Sequence, residues 1–390
     1  MLESMDQIVI PDTLKKYIAH TVFCSDFFAN GLSAFNQQSF DLFLHKMQMA
    51  TVIKSLDIHQ IEQLDLENIN EDQLKSTLRK WRNTNQMFII FMDSNQLWSL
   101  DQVLQATSKM ADIAINSANQ YFHNHLKKKF GKPSSSSQNI KNVMSVLAMG
   151  KLGAHELNLS SDIDLIFVYP FAGSTIVEDQ AVQTSISNQE FFLKVARKII
   201  DCLHQITVDG FVYRVDMRLR PWGDGGQLVL NQNAFFKYYI EHGRDWERFA
   251  MVKMRPVCGD ELFNRRIIEN IQQFVYRSYV DFQALEALRN LKQLINKETL
   301  KIPRLNVKLG RGGIREIEFI VQSFQLVRGG SITELQNSNL LEVLTLLSKY
   351  KQLPDDAINE LKTAYIWFRN IEHGIQAYQD KQGQVLPDDE

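Results

Sequence analysis

The 390-residue sequence contains little cysteine, little charge imbalance and no long hydrophobic run. Its three cysteines, Cys24, Cys202 and Cys258, lack the close spacing of a zinc site and form an odd set. We therefore expect reduced, mostly packed thiols in a cytoplasmic protein rather than a disulfide framework. No apolar run approaches the ~20 residues of a membrane-spanning helix. The first twelve residues also lack the basic and apolar regions of a secretory signal.

The near balance of charge argues against a general nucleic-acid binder, which usually carries a basic surplus. Lys and Arg number 43 against 45 Asp and Glu, for a formal net charge of -2. The phosphate-binding pattern GxxxxGK[ST] is absent, so the chain is not a Walker-type nucleotide binder. With 44% hydrophobic residues, the chain can build two or three domains with their own cores.

The first third of the chain is predicted to be helical. Apolar residues recur there at helical rather than alternating spacing, in the segments 12–20, 39–56, 71–84 and 99–130. A serine-rich stretch at 131–139 then predicts a flexible surface connection and a domain boundary.

Two short apolar runs, 143–149 and 165–169, predict neighbouring buried strands. A Gly-Lys-Leu-Gly turn that starts at Gly150 follows the first run, and Asp162 and Asp164 precede the second. Because side chains alternate along a strand, both carboxylates project from one face. Two adjacent anions repel each other, and a divalent cation such as Mg²⁺ removes that conflict.

An isolated Asp-x-Asp is more often a solvated turn or a helix cap than a metal site, so the assignment depends on its neighbours. Asp216 lies in a further apolar run, 211–219, where an acid is costly unless it has a partner. We interpret Asp216 as a third ligand for the same metals. Groups near the three acids can donate to a phosphate, from the backbone or the side chain. They are Gly150, Lys151, Ser160, Ser161, Arg218 and Arg220.

The stretch 234–257 is predicted to be helical and contributes two more cations, Lys253 and Arg255. We assign both to the phosphates or the nucleotide, with surface ion pairs as the alternative interpretation. Trp246 in the same stretch is predicted to be a core anchor.

A glycine-rich basic stretch, NVKLGRGGIREIEF, occupies 306–319. Its glycines interleave with Lys308 and Arg311, and a helix is predicted to begin close to Arg315. The pattern favours a backbone that approaches an anion, and the three cations are assigned to phosphate or substrate. A tight helix entry that needs glycine for its backbone angles is the alternative.

Five blocks of this sequence, in order, resemble the signature blocks of one family. They are MGKLGAHELNLSSDIDLIFVYP, RVDMRLRPWGDGGQLVL, GRDWERFAMVKMRPV, VKLGRGGIREIEFIVQ and FRNIEHGIQ. The family is that of the bifunctional glutamine synthetase adenylyltransferase/adenylyl-removing enzymes, within the polymerase-beta nucleotidyltransferase superfamily. The details NLSSDID and GRDWER resemble its N-terminal, adenylyl-removing half.

The resemblance implies an α+β, predominantly helical fold. A polymerase-beta-like nucleotidyltransferase sheet would be flanked by N-terminal helices and a C-terminal helical bundle. We predict an N-terminal helical region at 1–139, a catalytic core at 140–260 and a helical domain at 261–390. Because the family carries a second catalytic half, we expect the chain to be an N-terminal fragment.

The resemblance also implies an activity, the deadenylylation of adenylyl-tyrosine on glutamine synthetase by phosphorolysis, which regulates nitrogen assimilation. Inorganic phosphate would be the attacking group and ADP the product. Asp162, Asp164 and Asp216 would be the catalytic residues and would hold two Mg²⁺ ions, with Mn²⁺ as the alternative. The expected partners are adenylylated glutamine synthetase, the signal-transduction protein PII in its uridylylated form, and the second adenylyltransferase half. Neither a membrane nor a nucleic acid is expected.

Two alternatives stay open at this point. The first is ATP-dependent adenylyl transfer onto a protein tyrosine, which the carboxylates do not separate from removal because the same metals serve both directions. The second is a regulatory binding module that responds to PII, although such a module has no need of three acids.

Overall fold

The computed structural model describes residues 10, 12–49, 61, 64–137, 139–177, 184–276, 282–299 and 306–386. Its N-terminal part is helical, as predicted, although the predicted helical positions at 50–56 lie outside the described residues. The helices are α1 (Asp12–Cys24), α2 (Asp26–Ala34), α3 (Gln37–Gln48), α4 (Glu71–Ser94) and α5 (Leu100–Phe130).

Side-chain caps set where the two long N-terminal helices begin. Asn70 accepts from the backbone N–H of Gln73 while the Gln73 side chain accepts from the Asn70 N–H, and Ser99 and Gln102 repeat this arrangement at α5. Each of these reciprocal arrangements, known as a capping box, satisfies N–H groups that a helix terminus leaves unpaired. None of the described helices combines the length and apolarity that a membrane crossing requires.

A five-stranded mixed sheet follows, built around a central strand. Its members are β2 (Ser145–Ala148), β3 (Ile163–Tyr169), β5 (Val215–Asp216), β6 (Val229–Asn231) and β7 (Arg255–Cys258). Strand β3 pairs antiparallel with β2 on one side and parallel with β5 and then β6 on the other. The two apolar runs therefore form neighbouring strands, as predicted. A separate antiparallel pair joins β1 (Lys132–Pro133), in the predicted connection, to β4 (Thr175–Ile176).

Two predictions about strands need correction. The predicted strand at 211–219 is limited to Val215–Asp216. The stretch 234–257 is not helical throughout, because Arg255–Cys258 forms β7 at the edge of the sheet, beside β2. Proline has no N–H for a ladder and disfavours helix in the preceding residue, so Pro256 suits an edge strand.

The remaining helices cover the sheet and form the C-terminal part, which includes two helices within 340–379. They are α6 (Gly150–Gly153), α7 (Asn188–His204), α8 (Gln232–Glu241), α9 (Asp245–Met251), α10 (Glu261–Val275), α11 (Phe282–Thr299), α12 (Ile314–Arg328), α13 (Leu340–Lys349) and α14 (Asp355–Gln379). Short 3₁₀ turns lie at Gly223–Gly225 and Thr333–Leu335. The architecture confirms the predicted α+β, mainly helical class.

Each face of the sheet is buried in a different hydrophobic core, because alternate residues of β2 and β3 point in opposite directions. Val146 and Phe167 pack in the core of the N-terminal helices, whereas Leu147 and Ile166 pack with α8, α9 and α10. A third core lies among α12, α13 and α14. The first core crosses residue 139, so the N-terminal helices and the sheet share it. The division at 139 and 260 stays a prediction.

The three cysteines are free thiols, as predicted. Cys202 and Cys258 are buried, and burial raises the pKa of each to about 12, so neither thiol is reactive at neutral pH. The prediction that Trp246 anchors a core is wrong, because 40% of its surface is exposed.

A buried ion network joins the sheet to the C-terminal helices. The Lys253 ammonium lies 3.0 Å from a Glu156 oxygen and 2.8 Å from a Glu318 oxygen, and Lys151 Nζ lies 3.0 Å from both oxygens of Glu372. All five side chains are at most 16% exposed. Charges removed from water in this way must be paired, since an isolated buried ion is very costly.

We expect Lys253→Met to destabilise the fold strongly. It leaves the Glu156 and Glu318 carboxylates buried beside each other without their shared cation, a change that costs about 3–5 kcal/mol. Urea denaturation followed by circular dichroism measures the effect. Arg265→Met is the matched control, because the Arg265–Glu261 pair is exposed on α10, and its midpoint should hardly move. Equal midpoints for the two variants would contradict a structural role for the network.

The network also makes stability depend on pH. Burial by itself raises the pKa of Glu318, but the charges of Lys253 and Lys151 outweigh it and lower the pKa from 4.5 to about 2. A carboxyl whose pKa is lower in the folded state stabilises the protein above its unfolded pKa, and this contribution is lost as the pH falls from 4.5 towards 2. Urea midpoints measured between pH 6 and pH 3 should fall more steeply for the native chain than for Lys253→Met. Parallel curves would contradict the assignment.

Candidate active site

Three acids meet where β3 begins. In the parallel pairing of β3 with β5, Asp164 lies directly opposite Asp216, and Asp162 precedes β3 by one residue. Burial raises the pKa of Asp164 to about 6, and the negative charges of Asp216 and Asp162 add to this shift. The strand register therefore brings together the three carboxylates that the sequence singled out.

The turn before the acids needs glycine for two reasons. Gly150 has a φ of +54°, in the left-handed region that side chains with a Cβ disfavour. A Cβ at Gly150 would also lie only 2.9 Å from an Asp164 carboxylate oxygen. The glycine thus lets the turn between β2 and β3 pack directly against the acid.

Two arginines pair with two of the three acids. Arg214 donates from Nε to Asp162 at 2.7 Å and from Nη2 to the Ser160 hydroxyl at 3.0 Å. Arg218 donates to both oxygens of Asp216. Burial by itself raises the pKa of Asp216, but the hydrogen bonds and the charge of Arg218 outweigh it and lower the pKa. Arg214 was not among the residues predicted from the sequence. Its position two residues before Asp216 is a signal that could have identified it. Asp164 is left as the acid with the raised pKa.

The fit of a metal ion depends on these side chains. Within the described ranges, no three His, Cys, Asp or Glu side chains are grouped so as to hold a metal, and Asp162 and Asp216 are instead engaged by arginines. The donor set nevertheless suits Mg²⁺, which prefers carboxylate oxygens. The charge conflict at Asp164 is also what a divalent cation would relieve. The three carboxylates are of the chemical type that Mg²⁺ binds, and their assignment as ligands stays a prediction.

Several other predicted residues border the acids. Arg214 donates hydrogen bonds to both Ser160 and Asp162. Ser161, which lies between these two residues in sequence, is partly buried. The positive charges of Lys308 and Arg218 offset part of the rise in the pKa of Asp164, so both cations lie within electrostatic range of this carboxylate.

Three cations face protein groups in the interior. Lys151 and Lys253 belong to the buried ion network, paired with Glu372 and with Glu156 and Glu318. Arg255 Nη2 donates to an Asp112 oxygen at 2.8 Å and to the Leu152 carbonyl at 3.1 Å. Their predicted contact with phosphate stays a prediction, and each has a structural partner instead.

The other three cations are Arg220, Arg315 and Arg311. Arg220 donates to the Met217 carbonyl at 2.7 Å and to the Asp224 carbonyl at 3.1 Å, which closes the loop after β5. Arg315 donates to Glu298 at 2.7 Å. Arg311 is exposed in the predicted glycine-rich loop. None of these contacts tests a role in binding phosphate.

Comparison with known families gives two matches. The model of the glutamate-ammonia ligase adenylyltransferase family matches residues 18–270, more than half of the chain. The model of the GlnD PII-uridylyltransferase family matches residues 280–390.

Two similar curated proteins are each named bifunctional glutamine synthetase adenylyltransferase/adenylyl-removing enzyme. The protein from Pseudomonas putida is 47% identical over 82% of this chain and 32% of its own length. That from Nitrosococcus oceani is 45% identical over 84% of this chain and 34% of its own length. The chain thus spans about a third of the length of the curated relatives it matches. The chain belongs to the family of bifunctional glutamine synthetase adenylyltransferase/adenylyl-removing enzymes.

Proposed function

We propose that this chain removes AMP from an adenylylated tyrosine of glutamine synthetase by phosphorolysis. The observation that carries the proposal is the in-register pairing of Asp164 with Asp216 beside Asp162, within electrostatic range of Arg218 and Lys308. Family membership supports the nucleotidyltransferase class and the target protein. The resemblance of NLSSDID and GRDWER to the adenylyl-removing half supports the direction.

In the proposed reaction an oxygen of inorganic phosphate attacks the phosphorus of the AMP group. The bond from that phosphorus to the tyrosine oxygen breaks, ADP forms, and the phenolate takes up a proton. A phenol has a pKa of about 10, so it leaves more readily than an aliphatic alcohol. The attacking phosphate is already anionic, so the site needs no strong general base.

The side chains of the site have two tasks in this reaction. Arg218 and Lys308 attract the phosphate groups and neutralise part of their charge. Asp162, Asp164 and Asp216 would hold Mg²⁺, which supplies charge stabilisation to the entering and leaving oxygens when bound. Arg214 holds Asp162 and Ser160 in one arrangement.

We infer the partners and the cellular location of the chain on the same grounds. Adenylylated glutamine synthetase would be the substrate, and uridylylated PII would regulate the chain, with the second adenylyltransferase half as a further partner. The match of residues 280–390 to a family named for an enzyme that modifies PII supports a link to PII. A metabolic regulator of this kind acts in the cytoplasm.

We expect Asp164→Asn to lose at least 100-fold in turnover, because it removes a charge from the reacting centre. The substitution also removes a like-charge repulsion, so the thermal midpoint should stay the same or rise. Release of ADP and differential scanning fluorimetry measure the two effects. Asp224→Asn is the matched control, since Asp224 is exposed on the loop after β5, and it should retain full turnover. Substantial activity in Asp164→Asn would contradict the site.

The function itself is tested by incubating the purified chain with adenylylated glutamine synthetase and Mg²⁺, with and without inorganic phosphate. We expect phosphate-dependent ADP and matching loss of the tyrosine adduct by mass spectrometry. A parallel incubation of unmodified glutamine synthetase with ATP tests the opposite direction. Adduct formation there without adduct loss in the first assay would overturn the proposed direction.

A further inference from the structure

The segment between β2 and the acids, residues 149–162, runs through the protein interior instead of over its surface. Glu156 and Asn158 are each 1% exposed and Ser160 is 2% exposed. The polar backbone groups of a buried segment need partners inside the protein. The partners of this segment therefore decide where it lies.

One face of α14 supplies several of those partners. Arg369, Glu372 and Gln376 follow each other at spacings of three and four residues, which places them on one side of the helix. All three are at most 1% exposed. The face they form is turned inward, against the segment 149–162.

These three side chains hold the segment at its beginning, middle and end. Glu372 pairs with Lys151 through both of its oxygens. Arg369 donates to the Glu156 carbonyl at 2.6 Å. The Gln376 side-chain oxygen accepts from the Ser160 N–H at 2.9 Å.

The last contact continues to an acid of the site. Ser160, held by Gln376, accepts at its hydroxyl from Arg214, and Arg214 also donates to Asp162. A chain of three hydrogen-bonded steps thus leads from a C-terminal helix to a carboxylate that opens β3. A shift of α14 would change the direction of Ser160 and, through Arg214, that of Asp162.

We propose that α14 is a positioning element of the active site, in which Gln376 fixes the row Ser160, Arg214 and Asp162 while Glu372 fixes the turn at Lys151. The acids are therefore in position only with α14 docked on the segment 149–162, and any partner that displaces the helix lowers activity. The catalytic part of this inference depends on the proposed function, whereas the positioning part can be tested without it.

The test compares Gln376→Met with Asn370→Ala by two readouts. Gln376→Met keeps the side-chain volume but removes the acceptor from Ser160, whereas Asn370 is exposed on the same helix. Hydrogen exchange of the Ser160 amide is the first readout and needs no activity. We expect at least a ten-fold loss of protection in Gln376→Met and none in Asn370→Ala.

The second readout is the Mg²⁺ concentration for half-maximal phosphorolysis. It should rise several-fold in Gln376→Met, because Asp162 is no longer held, whereas a smaller folded fraction would lower the maximal rate without moving this concentration. If Gln376→Met does not fold, Gln376→Asn takes its place. Its shorter side chain moves the acceptor oxygen away from the Ser160 N–H with a smaller change in packing, and it should give the same two changes.

Unchanged hydrogen exchange of the Ser160 amide in Gln376→Met, or in Gln376→Asn where that variant takes its place, would overturn the positioning role. Loss of protection with an unchanged Mg²⁺ dependence would overturn the link to Asp162. If the native chain shows no phosphorolysis, the proposed function fails, and the exchange readout alone still decides whether Gln376 positions Ser160.

Discussion

The buried ion network is the constraint on which much of the structure depends. Each of these charged side chains would be costly to bury alone, so Lys253, Glu156 and Glu318 must be buried together. Because Glu318 lies on α12, this helix must dock where Lys253 and Glu156 meet. Lys151 and Glu372 impose the same condition on α14. The C-terminal helices therefore have one position relative to the sheet, and the segment leading to the acids is enclosed between them.

The candidate active site shows the opposite arrangement, because it gathers like charges that the fold does not fully neutralise. Arg214 and Arg218 compensate Asp162 and Asp216, yet burial, together with the two neighbouring carboxylates, raises the pKa of Asp164 to about 6. Such a conflict costs stability in the free protein and favours a bound cation. Along the chain, only a few residues separate Glu156, which belongs to the buried ion network, from Asp162, which belongs to the candidate active site.

Sequence patterns could predict the elements that carry a strong local signal. The apolar runs of β2 and β3 and the Asp162, Asp164 pair are of this kind, because strand alternation and like-charge repulsion are local rules. The strand β7 was missed, since four residues around Pro256 carry little periodicity and β7 exists through its pairing with β2. Trp246 was assigned to a core on residue type alone, although only packing decides which side of α9 it occupies.

The sequence by itself determined the family and the neighbouring strands β2 and β3, because both follow from residue type and close spacing along the chain. Only the tertiary structure decided which cations face the acids. Lys253 and Arg255 looked equivalent to Arg218 in sequence, yet the first two are paired with interior carboxylates. Tertiary structure also brought Gln376 to Ser160 across more than two hundred residues, a contact that no local rule encodes, because it depends on how helices pack after the sheet has formed.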